Sequence, residues 1–383
     1  MSNIYMDNAA TTFPKAPGVG LAVKNYIENI GINVKRGTYS SAFSAGEVVL
    51  ETREMLCEIF NFDTPDNVVF TMNVTQSLNY LLKGILKSGD HCIISSMEHN
   101  AVMRPLSQLC NRGVEISQVR CNGFGELDVE SIKRYIKSST KAIIMTHASN
   151  VSGTIIPLYE VGKLCRENNL IFIIDSAQTA GVFDIDYSRI NADAIAFTGH
   201  KGLLGPQGTG GFIIGDRLAK SMESLICGGT GSDSESEEQP EYMPDKFEPG
   251  TMNLPGIFGL NTALKYLMKT GIRNIRDKEL ELTEHFLEGV LNMKGIRVAG
   301  LPGIKNRTAV VSLDFIDGDN GEVSYLLDRE YGIMTRCGLH CAPSAHRSLE
   351  TFPQGTVRFS FSHFNTFEEV KYTIDSIHKI VRG

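Results

Sequence analysis

Helical and strand-like segments alternate along the middle of the chain, and this alternation restricts the possible folds more than any other feature. The strand-like segments are residues 67–73, 91–96, 114–121, 141–149 and 170–178. The amphipathic helical segments between them are residues 75–89, 101–113, 128–139 and 157–169. Several strand-like segments are continuous apolar runs, which is typical of strands covered by helices on both faces. The pattern predicts βαβ units and a mainly parallel sheet in an α/β protein.

The pattern changes near residue 255. Residues 228–246 are rich in Gly, Ser and acidic side chains and lack periodicity, which predicts an exposed acidic loop. The segments that follow are a long helical stretch to about residue 293, a strand over 308–316, a helix over 322–332, a strand over 356–362 and a helix over 366–381. We therefore predict a large α/β domain over residues 16–255 and a smaller α+β domain over residues 256–383. Residues 1–15 are expected to pack near the small domain and the active site.

Size and charge agree with this organisation and exclude some functions. A chain of 383 residues is longer than a single hydrophobic core usually serves. The net charge of −7 argues against nucleic acid as a partner, because gripping a phosphate backbone requires clustered Lys and Arg. No apolar run approaches the roughly 20 residues of a membrane span, and no basic stretch followed by an apolar one opens the chain. We therefore expect a cytoplasmic protein without a membrane partner.

The eight cysteines are scattered, and only one pair stands apart. Without an export signal, most should be reduced and packed as small apolar residues. Cys337 and Cys341 lie four residues apart in a segment with Gly, His and Pro, which suggests a loop. There is no second pair at zinc-finger spacing, so we expect no metal site.

The strongest chemical signal is the segment AFTGHKGLLGPQGTGGFIIG, residues 196–215, in which Lys201 follows an apolar strand and precedes a glycine-rich loop. Asp175 ends the buried strand of residues 170–174, where an acid must either pair or serve a ligand. Pyridoxal phosphate needs both residue types: a lysine for the Schiff base and a carboxylate that keeps the pyridine nitrogen protonated. Its phosphate is suited to a helix start such as Thr75 and Gln76, although Thr75 by itself fits a simple N-cap.

Eight short blocks in order resemble the cysteine desulfurase and selenocysteine lyase family of class V, fold type I pyridoxal-phosphate enzymes. The blocks are YMDNAATT (5–12), FTMNVTQSLN (70–79), MEHNAV (97–102), HASNVSG (147–153), DSAQ (175–178), FTGHK (197–201), FEPGTMN (247–253) and VRFSFSHFNT (357–366). The resemblance implies a large domain with a mainly parallel sheet flanked by helices, and a smaller C-terminal α+β domain. It also implies pyridoxal 5′-phosphate as the cofactor.

The resemblance assigns roles around the cofactor ring. Lys201 resembles the Schiff-base lysine, Asp175 the partner of the pyridine nitrogen, and Gln178 the donor to the ring hydroxyl. His99 resembles the imidazole that stacks on the ring face, and a part in proton transfer is open to it.

Further roles concern the phosphate and the substrate. The residues that match phosphate-binding positions are Val74, Thr75, Thr198, His200 and Thr251, the last of which usually reaches across from a second subunit. At Val74 the hydroxyl usual in the family is lost and only the backbone remains. Asn150 and Arg358 match positions that hold the substrate carboxylate, for which a guanidinium fork is well suited. In residues 356–362, Arg358 and Ser360 share one face, opposite Val357, Phe359 and Phe361.

Cys341 aligns with the nucleophile of the family, and its short surrounding loop is most similar to the SUF-type enzymes of group II. A thiolate there would accept sulfur as a persulfide, and the neighbouring His340 would help to set its protonation. Cys337 is unusual between Arg336 and Gly338, and it is either incidental or a sulfur relay.

Taken together, the resemblance implies a homodimeric L-cysteine desulfurase that forms alanine and passes persulfide sulfur to an acceptor protein. Selenocysteine lyase and cystine-type β-lyase remain alternatives, because they would share every cofactor residue. A non-catalytic sulfur relay or scaffold is an alternative of another class. The combination of Lys201, Asp175, Gln178 and Arg358 argues against it.

Overall fold

The computed structural model describes residues 3–34 and 39–382. The remaining residues of the predicted segment and domains, namely 1, 2, 35–38 and 383, lie outside the described residues. The helices are α1 (Val19–Asn25), α2 (Ser40–Phe60), α3 (Val74–Ile85), α4 (Asn100–Cys110), α5 (Val129–Ile132), α6 (Leu158–Glu167), α7 (Asp216–Ser221), α8 (Leu254–Thr270), α9 (Ile272–Val290), α10 (Asn320–Tyr331), α11 (Pro343–Ser348) and α12 (Phe367–Arg382).

The strands are β1 (Ile4–Tyr5), β2 (Val68–Thr71), β3 (His91–Ser95), β4 (Glu115–Val119), β5 (Thr140–Thr146), β6 (Ile171–Asp175), β7 (Ala194–Thr198), β8 (Gly210–Ile214), β9 (Ile296–Ala299), β10 (Val310–Phe315), β11 (Ile333–Met334), β12 (Arg336–Gly338) and β13 (Thr356–Ser360). A π-helical turn, Tyr26–Ile30, continues α1. Short 3-10 turns are formed by Pro65–Asn67 and Lys133–Tyr135.

A seven-stranded sheet with the order β2-β8-β7-β6-β5-β3-β4 forms the centre of the molecule. Its strands β3 to β7 are mutually parallel, and β8 runs antiparallel to both β7 and β2. The predicted α/β class with a mainly parallel sheet is therefore confirmed. Among the described residues, none of the helices combines the length and apolar character needed to cross a bilayer.

Both faces of this sheet are buried, which explains the continuous apolar strands. Neighbouring side chains on β5 belong to different cores: Ile143 packs in one cluster with Phe172, and Ile144 packs in the other with Ile173. Helices therefore cover the sheet from both sides. Burying one such isoleucine contributes about 1.5–3 kcal/mol.

The C-terminal part contains a second, antiparallel sheet of four strands in the order β12-β13-β10-β9. Val357, Phe359 and Phe361 lie in its hydrophobic core, so the alternation predicted for this segment is observed. The chain start is attached to this part, because β1 pairs with β11 and the Ser360 N–H donates to the Met6 carbonyl at 2.7 Å. The domain boundary near residue 255 stays a prediction.

One helix prediction was wrong in extent. The helix predicted over 128–139 is only the single turn of α5 and a 3-10 turn, because Ile136 is already extended. The helical stretch predicted up to residue 293 is observed as two helices, α8 and α9, separated at Gly271, whose φ of +87° breaks the helical path. In the predicted acidic loop, residues 233–238 are exposed, whereas Asp245 and Lys246 are buried.

Candidate active site

Two polar side chains end neighbouring strands at the centre of the seven-stranded sheet. Asp175 is the last residue of β6, and Thr198 is the last residue of β7. Because β3, β5, β6 and β7 are parallel, their carboxyl ends meet at one edge of the sheet. This edge is where open α/β sheets bind ligands, and the candidate site is built there.

The carboxyl group of Asp175 is buried in this edge, with the residue only 3% exposed. The Ala177 backbone N–H donates to its Oδ1 at 2.9 Å. Burial raises the pKa of Asp175, and the Ala177 hydrogen bond and the charge of Lys201 act in the opposite direction. A cationic ring nitrogen placed beside this carboxyl would favour its ionised form further.

Lys201 lies in the turn after β7, and the chain start holds this turn in place. The Thr12 hydroxyl donates to the Lys201 carbonyl at 2.9 Å, and the Lys15 ammonium donates to the His200 carbonyl at 2.7 Å. Burial lowers the pKa of Lys201 to about 8, and the charge of Arg358 adds to this effect. The amine therefore has a larger uncharged, nucleophilic fraction near neutral pH than an ordinary lysine.

The amino end of α3 has the features of an anion site. Asn73 caps the helix, since its Oδ1 accepts from the Gln76 N–H at 3.0 Å. The backbone N–H groups of Val74 and Thr75 have no acceptor among the described residues. A methyl group on Gly210 would lie 2.8 Å from the Asn73 Cα, so glycine is needed for β8 to approach this helix end. Free N–H groups and the helix dipole favour negative charge here.

The Thr198 hydroxyl lies beside this helix end and is unpaired. Thr198 pairs with Gly210 across β7 and β8, and Gly210 abuts Asn73. The Thr198 Oγ1 is buried without a hydrogen-bond partner among the described residues. An unpaired buried hydroxyl costs about 1–3 kcal/mol. A phosphate oxygen would satisfy it, so the donors here fit a phosphate group.

His99 caps the amino end of α4 and faces the cations of the site. Its Nδ1 accepts from the Ala101 N–H at 3.0 Å, so the neutral ring carries its proton on Nε2. Burial lowers the pKa of His99 to about 4, and the charges of Lys201 and Arg358 contribute. The ring is therefore neutral at physiological pH, with Nε2–H available as a donor.

The guanidinium of Arg358 is buried and held on two sides. It forms an ion pair with Asp7 at 2.7 Å and donates to the Asn150 carbonyl at 3.1 Å. Its Nε has no partner among the described residues. The Asn150 side-chain amide is also engaged, since it donates to the His340 carbonyl at 2.7 Å. In this structure, Asp7 therefore provides the carboxylate that pairs with Arg358.

Cys341 lies on a turn whose two central residues have left-handed backbone. The φ angles are +47° at His340 and +57° at Cys341, and the Ala342 N–H donates to the Leu339 carbonyl at 2.8 Å. The Asn100 N–H at the start of α4 donates to the Cys341 carbonyl at 2.7 Å. Left-handed backbone at residues other than glycine is strained and persists only where neighbouring contacts enforce it. The thiol itself is exposed.

Residues 4–373 match the aminotransferase class-V family. The chain belongs to this family.

Class-V relatives cover nearly the whole chain. A protein named probable cysteine desulfurase from Methanothermobacter thermautotrophicus is 32% identical over 99% of this chain and 94% of its own length. A protein of the same name from Pyrococcus abyssi is also 32% identical, over 99% of this chain and 94% of its own length. The solved apo cysteine desulfurase of Thermococcus onnurineus NA1 superposes with a TM-score of 0.93 at 29% identity, covering 100% of this chain and 95% of that one. The solved structure of Escherichia coli cysteine desulfurase CsdA superposes with a TM-score of 0.90 at 25% identity, covering 99% of this chain and 95% of that one.

Most of the residues predicted for this class-V site come together. After burial, the charges of Lys201 and Arg358 lower the pKa of His99, and the charge of Asp175 opposes the lowering of the Lys201 pKa. Asn150 bonds to Arg358 through its carbonyl, and Thr75, His99 and Cys341 line one cavity. Gln178 and Lys201 line another small cavity, where the Gln178 amide donates to the Ala9 carbonyl at 3.2 Å. The roles assigned to these side chains stay predictions.

Two residues predicted to bind phosphate have other surroundings in the single chain. The His200 Nδ1 lies 3.0 Å from the Thr11 hydroxyl, and burial lowers the pKa of His200 to about 4. Thr251 lines a different cavity of about 200 Å³, together with Gln76 and Gly208. Neither residue contacts Lys201 through a hydrogen bond among the described residues.

Sequence reasoning missed two carboxyl groups of this class-V site. Asp7 pairs with Arg358, and Glu98 is fully buried beside the end of β5, where both its oxygens accept from the Thr146 N–H at 2.9–3.0 Å. Burial raises the pKa of Glu98 to about 8, and the charge of Asp175 contributes. Both residues stand in quoted blocks, YMDNAATT and MEHNAV. For Glu98 the available signal was its position next to His99, whereas Asp7 was marked only by its place in a quoted block.

The cysteines agree with the sequence analysis in part. All eight are free thiols, and Cys57, Cys92, Cys121 and Cys165 are buried. Cys337 lies on β12 and is partly buried, and burial raises its pKa. His340 is buried too, and burial lowers its pKa to about 2. The neutral ring cannot stabilise a Cys341 thiolate by its charge, so the predicted aid to the thiol's protonation lacks electrostatic support.

Proposed function

We propose that this chain is a pyridoxal-phosphate-dependent L-cysteine desulfurase that forms L-alanine and leaves a persulfide on Cys341. The observation that carries the proposal is a set of three linked groups. The charge of the buried Arg358 acts on the buried Lys201 amine, and Asn150 connects Arg358 to the turn of the exposed Cys341 thiol. The amine matches the cofactor aldehyde, the guanidinium matches the substrate carboxylate, and the thiol matches the substrate sulfur. The names of the class-V relatives support the same activity.

The donors at the sheet edge fit pyridoxal phosphate as the cofactor. Thr198, Thr75 and the first N–H groups of α3 would hold its phosphate, Asp175 its pyridine nitrogen, and Gln178 its ring hydroxyl. Lys201 would bind its aldehyde carbon. When bound, the cofactor supplies an electron-withdrawing ring that stabilises negative charge on the substrate α-carbon.

The side chains of the protein would carry out the proton transfers and the attack on the substrate sulfur. The uncharged amine of Lys201 takes up the α-proton of the substrate, and His99 holds a proton on Nε2 that it can donate. The Cys341 thiolate attacks the substrate sulfur, so that an S–S bond forms as the C–S bond breaks and its electrons stay with the carbon skeleton. That skeleton gains a proton and leaves as alanine, and no external oxidant or reductant is required.

Arg358 is proposed to hold the substrate carboxylate. We expect Arg358→Lys to reduce kcat/KM for L-cysteine by about 10- to 150-fold, because losing a charged hydrogen bond costs about 1.5–3 kcal/mol. A lysine keeps the charge but cannot donate two parallel hydrogen bonds. Steady-state kinetics test this, with the visible absorbance of the bound cofactor as the control. Unchanged kinetics would assign the carboxylate to another residue.

Asp7 is proposed to occupy the place of that carboxylate when substrate is absent. Asp7→Asn should lower the melting temperature of the free enzyme, with a loss of about 3 kcal/mol at most, because the buried guanidinium loses its charged partner. The same variant should bind L-alanine more tightly, since no internal carboxylate has to be displaced. Thermal unfolding with and without L-alanine measures both effects. Weaker binding of L-alanine by the variant would contradict this role.

A second subunit is part of the proposal. Leu21, Ile27 and Phe43 on α1, its π-helical turn and α2 are each more than 60% exposed in the single chain. Apolar exposure of this extent is typical of an interface. A homodimer would cover it and could bring Thr251 to the phosphate of the neighbouring subunit. We also propose that the acceptor of the persulfide sulfur is a protein thiol. The proposed location of the enzyme is the cytoplasm.

The test of the proposed function is a product assay. Purified enzyme loaded with pyridoxal phosphate is supplied with L-cysteine, L-selenocysteine or L-cystine, and alanine, sulfide, selenide and pyruvate are measured. We expect alanine and persulfide from L-cysteine. Exclusive activity on L-selenocysteine would instead identify a lyase, and pyruvate from L-cystine a β-lyase.

A further inference from the structure

The cavity lined by Thr75, His99 and Cys341 also extends along α4, and neither Lys201 nor Arg358 lines it. It has a volume of about 310 Å³ and lies between the amino-terminal half of α3, one side of α4 and the Cys341 turn. We call it the vestibule, and its polar lining includes Thr75, Asn79, His99, Arg104 and Gln108. Because Cys341 lines it and Arg358 does not, a molecule in the vestibule lies beside the thiol and away from Arg358.

Arg104 gives the vestibule an unbalanced positive charge. Its side chain is exposed, and it forms no ion pair and donates no hydrogen bond among the described residues. The lining contains no Asp or Glu. The charge of Arg104 acts on His99 in the same lining, where it adds to the lowering of the pKa by burial and by the charges of Lys201 and Arg358. The vestibule is therefore suited to an anion that lies close to Cys341.

The substrate carboxylate already has a partner elsewhere. Arg358 is buried on the inner side, where it bonds to Asn150 and Asp7, whereas Arg104 is on the surface of α4. Arg358 does not line the vestibule, so Arg104 can pair with an anion of a second molecule. The second molecule must react with the sulfur left on Cys341, so its chemistry is that of a thiol.

We propose that the vestibule admits the acceptor thiol that removes sulfur from Cys341, and that Arg104 favours acceptors that carry a carboxylate close to that thiol. This rests on the proposed desulfurase function. The thiolate of the acceptor attacks the terminal sulfur of the Cys341 persulfide, and an S–S bond forms on the acceptor. The S–S bond to Cys341 breaks, and Cys341 leaves as a thiolate with the electron pair. The acceptor becomes a persulfide, and no other reactant is needed.

The test compares thiols of three charges on pre-loaded enzyme. Holoenzyme is treated with L-cysteine, freed of excess substrate and checked by mass spectrometry for one added sulfur on the Cys341 peptide. Loss of that sulfur is then timed with 3-mercaptopropionate (anionic), 2-mercaptoethanol (neutral) and thiocholine (cationic). Each rate is divided by the wild-type rate with the same thiol, which removes differences in intrinsic thiol reactivity.

The variants are Arg104→Ala, Arg104→Glu and Arg112→Ala. Arg112 follows the same helix, is exposed and does not line the vestibule, so it is the matched control. We expect Arg104→Ala to slow discharge by 3-mercaptopropionate about two- to fivefold, as for one exposed ion pair, and to leave 2-mercaptoethanol unchanged. Arg104→Glu should slow discharge by 3-mercaptopropionate further and accelerate discharge by thiocholine. Arg112→Ala should match wild type throughout.

Three results would overturn the assignment. Equal slowing of all three thiols by Arg104→Ala would indicate a structural effect. A rise in KM for L-cysteine with unchanged discharge rates would show that Arg104 serves the substrate. Absence of added sulfur on wild-type Cys341 would refute the proposed function itself, and the vestibule assignment with it.

Discussion

Replacing Lys201 by alanine should give a folded, colourless protein that releases no measurable alanine from L-cysteine. Lys201 is the lysine that lines the cavity beside Gln178, and burial lowers its pKa to about 8. Removing it deletes both the attachment for the cofactor aldehyde and the base for the α-proton. The loss of acid–base assistance alone amounts to about 10²–10⁴-fold in rate.

Lys15→Ala is the matched control for this experiment. The pKa of Lys15 is also lowered to about 8 by burial, but its ammonium is bonded to the His200 carbonyl and the Thr11 hydroxyl. This variant should keep the visible absorbance. Absorbance spectra and an alanine assay decide the outcome. Turnover in Lys201→Ala at more than a tenth of the wild-type rate would refute the cofactor assignment.

The Cys341→Ser variant should keep its colour and bind L-cysteine, yet fail to release sulfur from it. A hydroxyl cannot accept sulfur as a persulfide, whereas every group that holds the cofactor is unchanged. Breakdown of L-selenocysteine should persist, because a selenolate leaves more readily than a thiolate. Activity assays with both amino acids, and mass spectrometry of the peptide after an L-cysteine pulse, measure these effects.

Cys337→Ser is the paired variant, because both thiols lie on the same segment. It should leave the first persulfide on Cys341 intact, since Cys337 lies on β12 and is partly buried. Impaired transfer to an acceptor in this variant would identify a relay, and normal transfer would show that Cys337 is incidental. Undiminished desulfuration of L-cysteine by Cys341→Ser would favour the β-lyase alternative.

The fold was predictable where one signal dominated. Ile143 and Ile144 are buried on opposite faces of one strand, and a continuous apolar run is the direct result of that double burial. The end of the α8 segment was not predictable in this way, because a single glycine is tolerated within helices and the break at Gly271 depends on its φ. Local periodicity cannot determine that angle.

The site was predictable from residue types, but the pairing of those residues was not. The sequence indicates a role for Arg358 and contains Asp7, yet the two lie 351 residues apart and meet only because the chain start packs on β13. The same limit applies to Thr251, whose surroundings in the single chain include neither Lys201 nor Asp175. Contacts between distant segments, or between subunits, follow from the three-dimensional arrangement.

The anchored turn at Cys341 determines how sulfur can be delivered. The carbonyls of His340 and Cys341 accept hydrogen bonds from Asn150 and Asn100, so the backbone of the proposed nucleophile is fixed between two separate segments. A persulfide on Cys341 could change position only by rotation of this one short side chain, because the backbone is fixed. Each acceptor must therefore bring its own sulfur atom to a stationary donor. A longer segment around Cys341 would let its backbone move and would release the strained turn. The persulfide could then reach more distant acceptors, but the thiol would be positioned less accurately for attack on the substrate.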